Sequence, residues 1–92
     1  MARSRISTWD DYARQLGVNL QRARAARGIS QERVAHAAGI SSYTYRKLEK
    51  GDSNPGSPAN PRLMTLVALA EVLDTTIHEL LPADVPSIAV GR

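Results

Sequence analysis

Apolar residues in this chain recur three or four positions apart, the period of an α-helix, in short blocks divided by glycine, serine and proline. From Trp9 to Arg27, Tyr12, Leu16, Leu20 and Ala23 keep that spacing. Thr8 with Asp11 makes a capping pair at the start, and Gly28 suits the left-handed turn that ends a helix. Ser30 can cap a second helix, 31–38, in which Val34, Ala35 and Ala38 share one side. Gly39 then breaks the chain. Ser41 or Ser42 can cap a third helix, 42–50, with Tyr45 and Leu48 facing inward, and Gly51 stops it.

Residues 51–61, GDSNPGSPANP, hold three prolines and two glycines, which no helix survives. This segment reads as a long loop, either an ordered turn or a mobile one, and strands are hard to find anywhere in the chain. Asn60 and Pro61 open a fourth helix, about 62–73, because proline suits the first helical position. Its apolar stripe reads Leu63, Leu66, Val67, Ala70 and Leu73. TIHE at 76–79 is a capping box for a short fifth helix, 77–81, carrying Ile77, Leu80 and Leu81. The organisation that follows is a flexible basic arm at 1–8 with Arg3 and Arg5, one domain at 9–82, and a tail at 83–92.

Composition narrows the functions open to such a string of helices. Ninety-two residues suit one small domain with a modest core. There is no cysteine, hence neither disulfide nor thiolate metal site, which fits a reducing cytosol. The longest purely apolar run, Leu66 to Ala70, is far below the roughly 18 residues of a membrane span. The N-terminus lacks the hydrophobic stretch of a secretory signal, so a soluble, cytoplasmic chain is expected. Charge is uneven: through Lys50 ten Lys and Arg oppose four Asp and Glu, whereas from Gly51 onward two oppose five. A basic half suggests a polyanionic partner. No nucleophile–base set, paired-carboxylate site or phosphate loop is visible, and His36 and His78 stand apart, so neither catalysis, metal nor cofactor is expected.

Helices two and three, joined through Gly39, have the outline of a helical hairpin or a helix-turn-helix. Ala35 is small where the two must approach, and Ser42, Tyr43, Arg46 and Lys47 are left on the outer side of the third helix. Residues 16–81 as a whole are similar to the lambda-repressor-like, or Cro/XRE-type, DNA-binding domains. The markers are Leu20 with Arg24, Ser30–Gln31, Ala35, Gly39, LEKG at 48–51, an Asn–Pro pair, and LAEVLDTTIHEL at 69–80. Two features depart from the family pattern: Tyr45 stands where a β-branched aliphatic residue is usual, and about six residues look inserted after Gly51.

The resemblance implies an all-α, compact five-helix domain that binds double-stranded DNA, with its third helix in the major groove. It implies base contacts from Ser42, Tyr43 and Lys47, with Thr44 and Arg46 beside them. Arg46 or Lys47 has the donors for guanine O6 and N7, and Tyr43 a ring edge for a thymine methyl. Gln31 matches a family glutamine that touches phosphate and braces the reading helix, and Ser41, Lys50 and Arg62 are the further phosphate candidates. Arg24 and Glu49 match a structural ion pair. The implied function is a sequence-specific transcriptional regulator, most simply a repressor, acting as a homodimer on a palindromic operator. An antitoxin that autoregulates its promoter is the alternative, and a pure protein-interaction module a third. Leu80, Leu81, Val85, Ile88 and Val90 are the candidate dimer surface, and the tail a candidate site for a protein partner.

Overall fold

The computed structural model describes residues 8–54 and 56–89. It contains α1 (Trp9–Arg27), α2 (Gln31–Ala38), α3 (Ser42–Lys50), β1 (Asp52–Asn54), β2 (Ser57–Pro58), α4 (Leu63–Val72) and α5 (Ile77–Leu80). Four of the five helices begin on a hydroxyl that accepts a hydrogen bond from the backbone N–H three residues on. The pairs are Thr8 with Asp11, Ser30 with Arg33, Ser41 with Thr44, and Thr76 with Glu79, all at 3.0–3.1 Å. Each such cap contributes about 1 kcal/mol and fixes where its helix starts.

The fourth helix starts differently from the sequence expectation. Asn60 and Pro61 lie before it, Arg62 is the capping residue, and Arg62 makes no side-chain capping bond. Proline therefore sets the entry of the chain rather than the first helical turn.

A single core joins α1, α2, α3, α4 and α5 through Leu16, Leu20, Val34, Tyr45, Leu69 and Leu80, each almost fully buried. Burying side chains of this size is worth about 1.5–3 kcal/mol apiece. Leu69, not Leu63 or Val67, is the buried centre of α4: Leu63 and Val67 are 68% and 49% exposed. Almost every residue of α4 is apolar, so sequence periodicity alone does not say which side faces in. Leu80 also departs from the expected surface role, being 1% exposed. The α5–α1 contact that covers it is closed by Asn19, whose Nδ2 donates to the Leu80 carbonyl at 2.8 Å.

The expectation of a strandless chain fails at 52–58. Here β1 and β2 form a small antiparallel ribbon, with Asp52 opposite Pro58 and Asn54 opposite Ser57. The ribbon is closed by Ala59 N–H donating to the Gly51 carbonyl (2.7 Å) and by Ser53 Oγ donating to the Pro58 carbonyl (3.2 Å). It is also fastened to the start of α1, because the Trp9 indole N–H donates to the Ala59 carbonyl at 2.9 Å. Trp9 itself stacks on Tyr12 at 5.1 Å between ring centroids.

Two glycines position α3. Gly39, at φ +78°, takes the left-handed conformation that L side chains resist, while Ile40 N–H reaches back to the Ala35 carbonyl at 3.0 Å. The chain thereby turns sharply between α2 and α3. Gly17 serves a close approach instead: a Cβ there would lie 2.4 Å from the Glu49 carbonyl oxygen. Only a glycine lets α1 lie so close against the C-terminal end of α3. Among the described residues no helix is long and apolar enough to cross a membrane.

Candidate nucleic-acid interface

Helix α3 has two unlike sides. Tyr45, Leu48 and Glu49 are buried; Tyr43, Thr44, Arg46 and Lys50 are exposed, and Ser42 and Lys47 are partly so. What holds the inner side is a polar knot centred on Glu49. Arg24 of α1 grips that carboxylate with two bonds, Nε to Oε2 at 2.6 Å and Nη2 to Oε1 at 3.2 Å. Gln31 of α2 donates to Oε1 at 2.8 Å, and Gln21 of α1 donates to the Glu49 main-chain carbonyl at 2.8 Å. Arg24 further donates to the Ile29 carbonyl at 3.2 Å. Three helices thus converge on one residue that is 5% exposed.

Burial by itself pushes the Glu49 carboxyl up. The hydrogen bonds and the positive charge it receives, chiefly from Arg24, more than reverse this and hold it below the usual carboxylate range. Tyr45 lies alongside. Burial, and then the neighbouring carboxylate, push its phenol far above the ordinary value, so it stays neutral. Its hydroxyl is buried beside Glu49 and Arg24 yet makes no well-formed hydrogen bond among the described residues. That orphan is the cost of placing a tyrosine at this core position.

On the outer side, Ser41 Oγ accepts from Thr44 N–H and donates to the Thr44 hydroxyl at 2.9 Å, ordering the first turn. Arg46 reaches Glu32 of α2 at 3.5 Å, an exposed pair of little energetic weight. Lys47 lies with Nζ 4.3 Å above the Tyr43 ring and also donates to the Ser53 carbonyl of the ribbon. Beyond Lys47 a groove of about 450 Å³ separates α3 from the start of α4, lined by Thr44, Ser53, Asn60 and Arg62 among others. Lys50 borders a second, polar cleft with Arg14 and Asp52.

The residues nominated from sequence therefore fall into three places. Ser42, Tyr43, Thr44, Arg46 and Lys47 share the outward part of α3. Ser41 and Lys50 stand at its two ends, and Arg62 lies across the groove. Gln31 turns its amide inward to Glu49, leaving the first turn of α2 to present Glu32 and Arg33 outward. Arg3 and Arg5 lie outside the described residues. His36 and His78 are exposed, and no described group of His, Asp or Glu could hold a metal ion. Sequence reasoning missed Gln21 and Ser53. Gln21 sits three residues before Arg24, so helical spacing alone offered a signal. Ser53 takes part through its main chain and its position in the ribbon, which no side-chain pattern announces.

The fold and its exposed basic helix define a helix-turn-helix protein of the DNA-binding, transcription-regulating class. A family profile described as a helix-turn-helix domain matches residues 15–83, and the chain belongs to that family. Among solved structures it is similar to the restriction-modification controller protein C.AhdI from Aeromonas hydrophila. The two are 29% identical over 75% of this chain and 96% of that one, with a TM-score of 0.65. It also shares its fold with a hypothetical transcription factor, NHTF, from Neisseria (21% identity, 90% and 88% coverage, TM-score 0.67). Both comparisons agree with a lambda-repressor-like fold. No curated protein matches the chain.

Proposed function

We propose that this protein recognises a specific double-stranded DNA sequence by laying α3 in the major groove, and that it represses transcription by occupying its operator. The observation that carries this reading is the division of α3. One side is clamped by Arg24, Gln31 and Gln21, and the other offers the exposed Tyr43, Arg46 and Lys50 with the partly exposed Lys47. A helix held from behind and cationic in front fits a groove whose walls are phosphates and whose floor carries donors and acceptors. Ser42 and Thr44 join the base-reading set. Ser41, Lys50, Arg62 and the start of α2 at Gln31 meet the backbone.

One such domain reads too few base pairs to find a genomic site, so a homodimer on a palindromic operator completes the proposal. The exposed apolar residues available for it are Leu63, Met64 and Val67 of α4, with Val85 and Ile88 of the tail. Leu80, being buried, drops out, and Val90 lies outside the described residues.

Selection from a random duplex pool tests the reading. The wild type is expected to return one palindromic motif and to bind it with an affinity that falls steeply with salt. Recovery of no motif, or salt-insensitive binding, would overturn it. A second reading, control of a restriction–modification gene pair, is favoured by the likeness to C.AhdI across nearly the whole of that chain. A restriction endonuclease or methyltransferase gene next to this one would support it.

A further inference from the structure

Lys47 is the one cation of α3 whose ammonium is tied to the protein's own ribbon. Its Nζ lies 4.3 Å over the ring of Tyr43, four residues earlier on the same helix, and donates to the Ser53 carbonyl in β1. Ser53 is itself fixed: its hydroxyl crosses the ribbon to Pro58, the ribbon is closed at Gly51 and Ala59, and Trp9 ties Ala59 to α1. One end of the lysine clamp is therefore tied into the scaffold. The other is an exposed aromatic side chain, 59% accessible, on the proposed reading surface.

A lysine has three donors and no acceptor. With one donor given to a carbonyl and the charge seated over a ring, the ammonium is held beside the ribbon, and its remaining donors serve only what comes within reach of that seat. A tyrosine pinned on one face by a cation, in contrast, enters the groove already oriented, and the ordering cost of binding is reduced.

Resting on the DNA-reading proposal, we propose that Lys47 is a positioning residue. Clamped between Tyr43 and the Ser53 carbonyl, it orients Tyr43 as the side chain that determines base preference, and it holds the ribbon beside α3 instead of reading a base itself.

The test compares base preferences of the wild type, Tyr43→Ala, Lys47→Ala and the double variant, each at two salt concentrations. Lys47→Ala and Tyr43→Ala are expected to relax the same base pair, each on the order of tenfold, with the double variant no worse than the worse single. Lys47→Arg, which keeps a cation over the ring, restores part of the preference, and Lys47→Met does not. Relaxation at a base pair untouched by Tyr43→Ala means direct reading by Lys47 and overturns the proposal. So does a loss of about one unit in the salt slope with preferences intact, which marks a phosphate contact. Unchanged preference in Lys47→Ala overturns it as well. Thermal melts verify folding, and Lys47→Met, which retains the aliphatic stem, replaces the alanine variant if that one melts early. Absence of any preference in the wild type sinks both proposals; a preference with the wrong variant pattern sinks only this one.

Discussion

Helices α3 and α4 are nearly the same length, nine and ten residues, yet they turn opposite chemistries outward. Beneath α3 lies a knot of hydrogen bonds and ion pairing around Glu49, and its outer surface is tyrosine, threonine, arginine and lysine. Beneath α4 lies ordinary apolar packing around Leu69, while Leu63, Met64 and Val67 remain in water, Met64 at 84% exposure. Apolar packing is close but non-directional, whereas a bidentate guanidinium–carboxylate pair admits one geometry. The polar seat therefore suits a helix whose angle matters, and the exposed apolar stripe suits one that meets another protein surface.

Substitutions can break the seat and the stripe separately. The largest effect belongs to Gly17→Ala, which drives a methyl into the Glu49 carbonyl and forces α1 and α3 apart. A loss of at least about 3 kcal/mol in urea unfolding is expected, the upper part of the overpacking range. Next comes Glu49→Ala, which leaves the Arg24 guanidinium in a partly buried place with one carbonyl for company. A loss of about 2–3 kcal/mol is expected, below the range for fully buried pairs because Arg24 is a quarter exposed.

The same residue fixes a pH dependence. Because the folded Glu49 carboxyl titrates below the ordinary glutamate value, its contribution is fully present above that ordinary value and disappears as pH falls through the lower folded one. Urea midpoints for the wild type should fall between pH 6 and about pH 3, and those of Glu49→Gln should fall less; parallel curves would refute the linkage.

On the stripe the expectation reverses. Met64→Glu together with Val67→Glu should leave the unfolding midpoint of the monomer nearly unchanged. In sedimentation the pair should weaken self-association by roughly tenfold or more, about 1.4 kcal/mol. Equal loss of monomer stability would show that the stripe is packed core and remove the contrast between the helices. The smallest effect is at Tyr45→Phe. Deleting a buried hydroxyl that has no partner should raise stability by about 1 kcal/mol, and a drop of that size would reveal a hydrogen bond to the knot.

Much of the scaffold was legible because its signals are local. A hydroxyl three residues ahead of a backbone N–H, or a glycine after a helical block, acts within one turn of chain, and Thr8, Ser30, Thr76 and Gly39 could be read as they stand, with Ser41 narrowed to one of two adjacent serines. Tyr45 and Leu48 were recognisable as inward residues for the same reason, being two apolar positions in a polar helix. What stayed hidden depends on partners distant in sequence. The ribbon forms because Ser53 meets Pro58 and Trp9 meets Ala59, pairings that a run of prolines and glycines does not reveal. The stripe of α4 was read correctly at Leu66, Ala70 and Leu73 but wrongly at Leu63 and Val67, and Leu69 was missed, because a helix so largely apolar does not mark its inner edge. Nothing marked Gly17 as a contact point, since its role exists only once Glu49 is brought against it. On α3 the residue types facing outward were readable, but not that Lys47 would spend its ammonium on the ribbon.

The fastening of Trp9 to Ala59 makes the chain's single tryptophan a built-in spectroscopic probe of one particular event. Its indole sits where α1 begins and the ribbon ends, so its emission follows detachment of the ribbon. A denaturation curve recorded by fluorescence and one recorded by helical ellipticity will coincide only if that small strap lets go together with everything else.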